Sequence, residues 1–176
     1  MVGLLAVTMA CIITGQRIVE LFIARRNRIY IESIGGQEHG AAHYPLFFLL
    51  HGCWLAGWVY EAISGGGLSS IWPVWLGLFL LAQGLRYWCM KSLGCFWNTR
   101  IFIVPGRNKI KDGPYRFIAH PNYLAVCIEL ACVPLIFDAG VTALSASLLN
   151  ALLLGAVRIP AEERALQLTE KYEQAS

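Results

Sequence analysis

Apolar residues run along this chain in long blocks, separated by short connections that carry its charges, glycines and prolines. The blocks fall at about 2–24, 44–63, 71–92, 122–138 and 140–158, each near the roughly twenty residues a helix needs to cross a bilayer. The pattern predicts an all-α integral membrane protein with about five transmembrane helices; four helices plus a re-entrant hairpin is the second arrangement. Asp138-Ala139-Gly140 reads as a tight turn, so the last two blocks pair as a helical hairpin, and Pro134 is tolerable inside a packed membrane helix. Gly35-Gly36 predicts a turn in the polar connection Arg25–His43 rather than a continuing helix.

Composition agrees with the pattern: 57% of the 176 residues are apolar, 14% are charged and the mean hydropathy is +0.55, too greasy for a soluble domain of this length. The net charge of +3 is modest and its basic residues sit in short connections, which argues for topology signals and against nucleic acid as a partner. Arg25, Arg26 and Arg28 follow the first block, a basic cluster runs from Lys91 to Arg116, and Arg158, Arg164 and Lys171 follow the last. The opposite connections, 65–70 and 138–140, hold no Lys or Arg. The expectation is an N-terminus outside and both charged clusters at the cytoplasmic face. An apolar start without a basic leader predicts a first membrane helix rather than a cleaved signal peptide. Six cysteines without C-x-x-C spacing read as small buried hydrophobes, and the six tryptophans, lying largely near block ends, read as interfacial anchors.

Polar residues inside the blocks are candidates for chemistry. Gln16, Arg17 and Glu20 should turn inward, Arg17 and Glu20 sharing a helical face as an ion pair or lining a ligand cavity. His43 and His51, eight apart, share a face of the second block, but no third ligand accompanies them and no metal site is expected. The stretch Lys111 to Tyr123 is the densest in ionisable and aromatic groups: Gly113-Pro114-Tyr115 is a turn, and Pro121 can open the fourth helix at its first turn with His120 just before it. A helix start offers free N–H groups to a carboxylate, and a histidine there is a candidate base or donor; headgroup contact is the alternative. Arg158 and Glu162, one helical turn apart, and Glu163 beside them form a second cluster, either functional or the polar face of an amphipathic surface helix.

Together, Gly113-Pro114-Tyr115, His120-Pro121-Asn122-Tyr123 and Arg158-x-x-x-Glu162-Glu163 resemble the isoprenylcysteine carboxyl methyltransferase family, within the membrane methyltransferases that include phospholipid methyltransferases. The segments from Gln16 to Asn27 and from Asn98 to Ile101 look more like a bacterial branch associated with polyketide synthases and methylation of alkylpyrones or phenolic lipids. The resemblance implies one membrane domain over 1–176, with N-terminal spans in 1–84 and a catalytic core in 85–176 made of a cofactor loop, the hairpin and a C-terminal helix. It implies S-adenosylmethionine as cofactor, held by Arg107, Asn108, Lys109, Ile110, Tyr115, His120, Pro121, Asn122, Tyr123 and Glu162, with Arg158 beside the methyl acceptor. His120 and Glu163 are candidate bases for an enol or phenol acceptor, whereas Arg158 would orient a carboxylate. Where the family commonly has Arg-His-Pro, this chain has Ala119-His120-Pro121, leaving Arg116 or Lys111 to supply that basic contact. Expected partners are a lipophilic small molecule from the bilayer and membrane lipids; a homo-oligomer is left open. No strand-borne G-x-G-x-x-G exists, so any nucleotide pocket must be built from helices and loops.

Overall fold

The computed structural model describes residues 1–107 and 109–175, of which 168–175 are described as backbone alone. Every apolar block is helical: α1 (Val2–Ser33), α2 (Tyr44–Ser64), α3 (Trp72–Leu93), α4 (Pro121–Ile136) and α5 (Gly140–Leu153). A π turn, Leu154–Arg158, joins α5 to α6 (Ile159–Ala175). Three helical runs, Val2–Ser33, Ala41–Ser64 and Gly140–Gln167, are long and apolar enough to cross a membrane, and α4 is a shorter apolar helix. The chain is an all-α integral membrane protein.

The first helix departs from expectation by continuing to Ser33, about 48 Å at 1.5 Å per residue, so its last turns exceed the hydrocarbon thickness. Its end is set where the glycines predicted it. Gly36 N–H bonds to the Ile31 carbonyl at 2.9 Å, and a Cβ on Gly36 would sit 2.3 Å from the Ile31 side chain. Beyond it lies an element the apolar pattern did not show: β1 (Gln37–His39) pairs antiparallel with β2 (Ile101–Ile103), Glu38 opposite Phe102. Arg100 reaches Glu38 and lies over the Tyr44 ring at 4.1 Å, so charges flanking the ribbon tie it to α2.

The core lies where α2, α4 and α5 meet. Trp58 is fully buried and stacks on Phe137 at 5.2 Å, while Trp54 donates its indole N–H to the Leu130 carbonyl at 3.0 Å. Trp54, Trp58 and Trp97 are therefore packing residues rather than interfacial anchors; Trp72 and Trp88 keep exposed rings. The cysteines also divide: Cys89 and Cys132 are buried, but Cys11, Cys53 and Cys95 are exposed, and all six are free. The turn at 138–140 forms as expected, with Asp138 in the left-handed region and the Ala139 N–H bonded to the Pro134 carbonyl. Glu61 of α2 accepts from the backbone N–H groups of Val141 and Thr142, capping the start of α5.

Candidate active site

Two prolines shape the site. Pro121 opens α4, where its missing N–H costs nothing, and this turn brings Asn122 and Tyr123 to the inner surface. Pro160 cannot donate to the carbonyl four residues before it and would clash with it in a regular α-helix; the π turn immediately before accommodates that. The adjusted helix carries Arg158 and Glu162 toward α4.

There the two clusters meet through Tyr123. Its hydroxyl donates to Glu162 Oε2 at 2.6 Å and accepts from Arg158 Nε at 3.2 Å. Arg158 also donates from Nη2 to the Thr99 carbonyl at 2.8 Å, and its guanidinium lies 5.7 Å from the centre of the Phe47 ring. His120 stacks nearly parallel on Tyr123, centroids 5.2 Å apart, with Nδ1 3.6 Å from Glu162 Oε2. Gly113 lets the turn carrying Tyr115 sit on α3: its φ is +58°, and a Cβ there would lie 2.0 Å from Ser92 Oγ. Burial, with Cys89 as the main neighbour, pushes the Tyr115 hydroxyl far above its ordinary pKa, so Tyr115 presents a neutral aromatic group.

A cavity of about 430 Å³ opens among these groups. Arg107, Lys109 and Ile110 line it from the loop, Tyr115 and His120 from the turn before α4, and Asn122 and Tyr123 from α4 itself. Arg158 and Glu162 close the opposite wall. Pro121 is buried behind the lining, shaping the helix start, and Asn108 lies outside the described residues. Glu163 is exposed and does not line the cavity. Neither Lys111 nor Arg116 replaces a basic residue at position 119: both are exposed and off the lining, whereas Ala119 itself is on it.

The cavity continues inward to groups that sequence reasoning undervalued. Arg17 does turn inward, but it pairs with Glu129 of α4 as well as with Glu20, and Arg86 of α3 bonds both carboxylates. Arg86 and Glu129 were legible as lone charges in apolar blocks, a pattern that marks inward-facing groups. His51, weighed above only as a metal ligand, also lines the cavity, as do Phe47 and Asn150, which nothing local in the sequence singles out.

A donor set of this kind suits S-adenosylmethionine. Its sulfonium calls for aromatic faces or a carboxylate, its carboxylate for basic groups or helix N–H donors, and its adenine for an apolar slot. Tyr115, Tyr123 and Glu162 answer the first, Arg107, Lys109 and the start of α4 the second, and the largely apolar lining with Ile110 the third. The volume falls in the range of small-molecule pockets.

Comparison with known proteins gives the lineage. The model of the isoprenylcysteine carboxyl methyltransferase (ICMT) family matches residues 75–168, which span α3 to α6 and hold both clusters. The chain belongs to the ICMT family. It is therefore a membrane methyltransferase. It is 40% identical over 159 residues to the uncharacterized protein YpbQ of Bacillus subtilis (strain 168), covering 89% of this chain and 93% of that protein. It is 26% identical over 162 residues to an uncharacterized protein of Haemophilus influenzae, covering 91% and 93%. No solved structure matches the chain. ICMT family methyltransferases generally use S-adenosylmethionine, in keeping with the donor set above.

Proposed function

We propose that the protein moves a methyl group from S-adenosylmethionine to an oxygen of a lipophilic acceptor that arrives sideways from the bilayer. The observation that carries this reading is the joint lining of one cavity by Tyr115, His120 and Tyr123 with Arg158 and Glu162, groups that come from both ends of the hairpin. Bound there, S-adenosylmethionine supplies an electrophilic methyl group on a sulfonium. Glu162, fixed by the Tyr123 hydroxyl, offers a carboxylate to the cationic part; Arg107, Lys109 and the N–H groups at the start of α4 hold the carboxylate part. Asn108 is proposed with them, and Pro121 acts by shaping the helix start. Arg158, itself 7% exposed and anchored on Thr99 and Tyr123, faces the acceptor and steadies its oxygen. Alignment and exclusion of water are the main help a protein gives to such a displacement, and buried, cross-braced side chains supply both.

Among acceptors we favour a bacterial polyketide-derived phenolic lipid or alkylpyrone over an isoprenylcysteine carboxylate, with a phospholipid amine third. The basic connections support a cytoplasmic cofactor mouth and an N-terminus outside. Calorimetry in detergent tests the reading: S-adenosylmethionine should bind saturably, and His120→Ala with Glu162→Ala should weaken it. Full-strength binding by that double variant would remove this site, and failure of wild type to bind would leave a non-catalytic module that binds headgroups or a partner protein. Labelled-methyl transfer into lipid extracts then identifies the acceptor.

A further inference from the structure

Along α2, Phe47 and His51 lie one turn apart and line one wall of the cavity, so His51 stands about 6 Å of helix rise deeper than the ring over which Arg158 lies. His51 Nδ1 lies 2.7 Å from the Phe47 carbonyl, a group that can only accept. In the neutral imidazole the proton therefore sits on Nδ1, and Nε2 is left as a lone-pair acceptor without a partner among the described residues. Asn150 stands on α5. It is 1% exposed, it lines the same cavity, its amide nitrogen rests against Cys127 Sγ at 3.3 Å, and its Oδ1 is buried without a partner. The cavity lining thus holds a buried acceptor without a partner, Asn150 Oδ1, an open one, His51 Nε2, and a buried donor without a partner, Arg86 Nε, a set that a guest able both to donate and to accept would satisfy.

The charges around the floor restrict that ligand further. His51 faces Arg17 of α1, Arg86 of α3 and Glu129 of α4, with Glu20 of α1 completing the set. Two guanidinium groups meet two carboxylates, so the formal charges cancel and no cation is left over for an anionic guest. A carboxylate would find one donor, Arg86 Nε, but also two acceptors and a neutralised network. A neutral hydroxyl finds a place to donate.

We propose that this floor is the headgroup site of the methyl acceptor, that it selects a phenol or enol over a carboxylate, and that His51 Nε2 is the base that takes the hydroxyl proton. The inference rests on the methyl-transfer reading and deepens it. The acceptor's O–H bond breaks and its proton forms the N–H bond on Nε2. The freed oxygen pair forms the O–CH3 bond, the C–S pair stays on the sulfur of the sulfonium donor, and His51 later returns its proton to water. Arg158 lies above the nascent oxyanion, while His120, beside Glu162 and stacked on Tyr123, belongs to the mouth.

The first test needs no cofactor. A long-chain 4-alkyl-2-nitrophenol is added to the full chain in detergent at a pH below its own pKa, and its visible absorbance is read. Wild type should show the nitrophenolate band on saturable binding; His51→Asn, whose amide keeps a donor near the Phe47 carbonyl, should bind the probe in its neutral form. In turnover with the same probe, His51→Asn should lose about 100-fold in kcat while the Kd for S-adenosylmethionine stays within about twofold, and raising the pH above the probe's pKa should restore most of the loss. Asn150→Ala, which leaves the histidine in place, should weaken probe binding about tenfold. The same phenolate band in wild type and His51→Asn, an undiminished kcat, or a carboxylate analogue binding as tightly as the phenol would overturn the proposal. Failure of wild type to bind S-adenosylmethionine at all would instead remove the methyl-transfer reading beneath it.

Discussion

The cavity has two charged ends that solve burial differently. On the floor, Arg17, Glu20, Arg86 and Glu129 pair among themselves across three helices and leave no net charge. At the mouth, Arg158 binds a hydroxyl and a carbonyl, Glu162 takes one hydroxyl, and His120 waits 3.6 Å away. The floor is closed electrostatically, so its charges hold helices together; the mouth keeps charge and hydrogen-bonding capacity for a guest. Buried ion pairs are weak net stabilisers, yet removing one partner is expensive because the other is stranded. The comparison therefore predicts stability effects at one end and binding effects at the other.

The largest effect is expected at the floor. Glu129→Gln strands Arg86 and Arg17 against a single remaining carboxylate and should destabilise the fold by about 3–5 kcal/mol, read as loss of protein on thermal or denaturant unfolding in detergent. Removing Arg86 together with Glu129, as Arg86→Met with Glu129→Leu, leaves Arg17 with Glu20 and should cost less than Glu129→Gln alone. If the double variant were the less stable of the two, the floor would not be a self-neutralising unit. At the mouth, Glu162→Ala should weaken S-adenosylmethionine by about 30-fold or more in calorimetry while changing the unfolding midpoint little. A midpoint drop as large as that of Glu129→Gln would erase the distinction between the ends. Tyr123→Phe removes a donor to Glu162 and an acceptor from Arg158, and about a tenfold loss in cofactor affinity is expected, smaller than that of Glu162→Ala. Gly113→Ala should act most mildly on the cofactor, through the turn under Tyr115, with a stability cost of about 1–2 kcal/mol from its left-handed backbone and contact with Ser92.

Much of the site was readable in order along the chain. Pro121 marked the start of α4, Asp138-Ala139-Gly140 the hairpin turn, and the clusters around His120 and Glu162 the opposing walls. These are local signals: a proline or glycine acts on its own backbone, and residues three or four apart share a helical face. The pairing of Arg17 with Glu129, 112 residues away, is not local. Nor is the ribbon of β1 and β2, whose three-residue strands are too short to print an alternating pattern.

The tryptophans show the limit most clearly. Trp54 and Trp58 resemble Trp72 and Trp88 in sequence context, since all four lie within apolar blocks, yet one pair is buried and the other exposed. Hydropathy tells how far a helix runs through an apolar medium but not which of its sides meets lipid, because inside a membrane both sides are apolar. The sequence by itself determined the helices, their turns, the membrane class and the two chemical clusters, all consequences of backbone propensity and block length. Only packing decided which faces met, and with them the neutral floor, the tyrosine that joins Arg158 to Glu162, and the depth at which His51 stands with one nitrogen free.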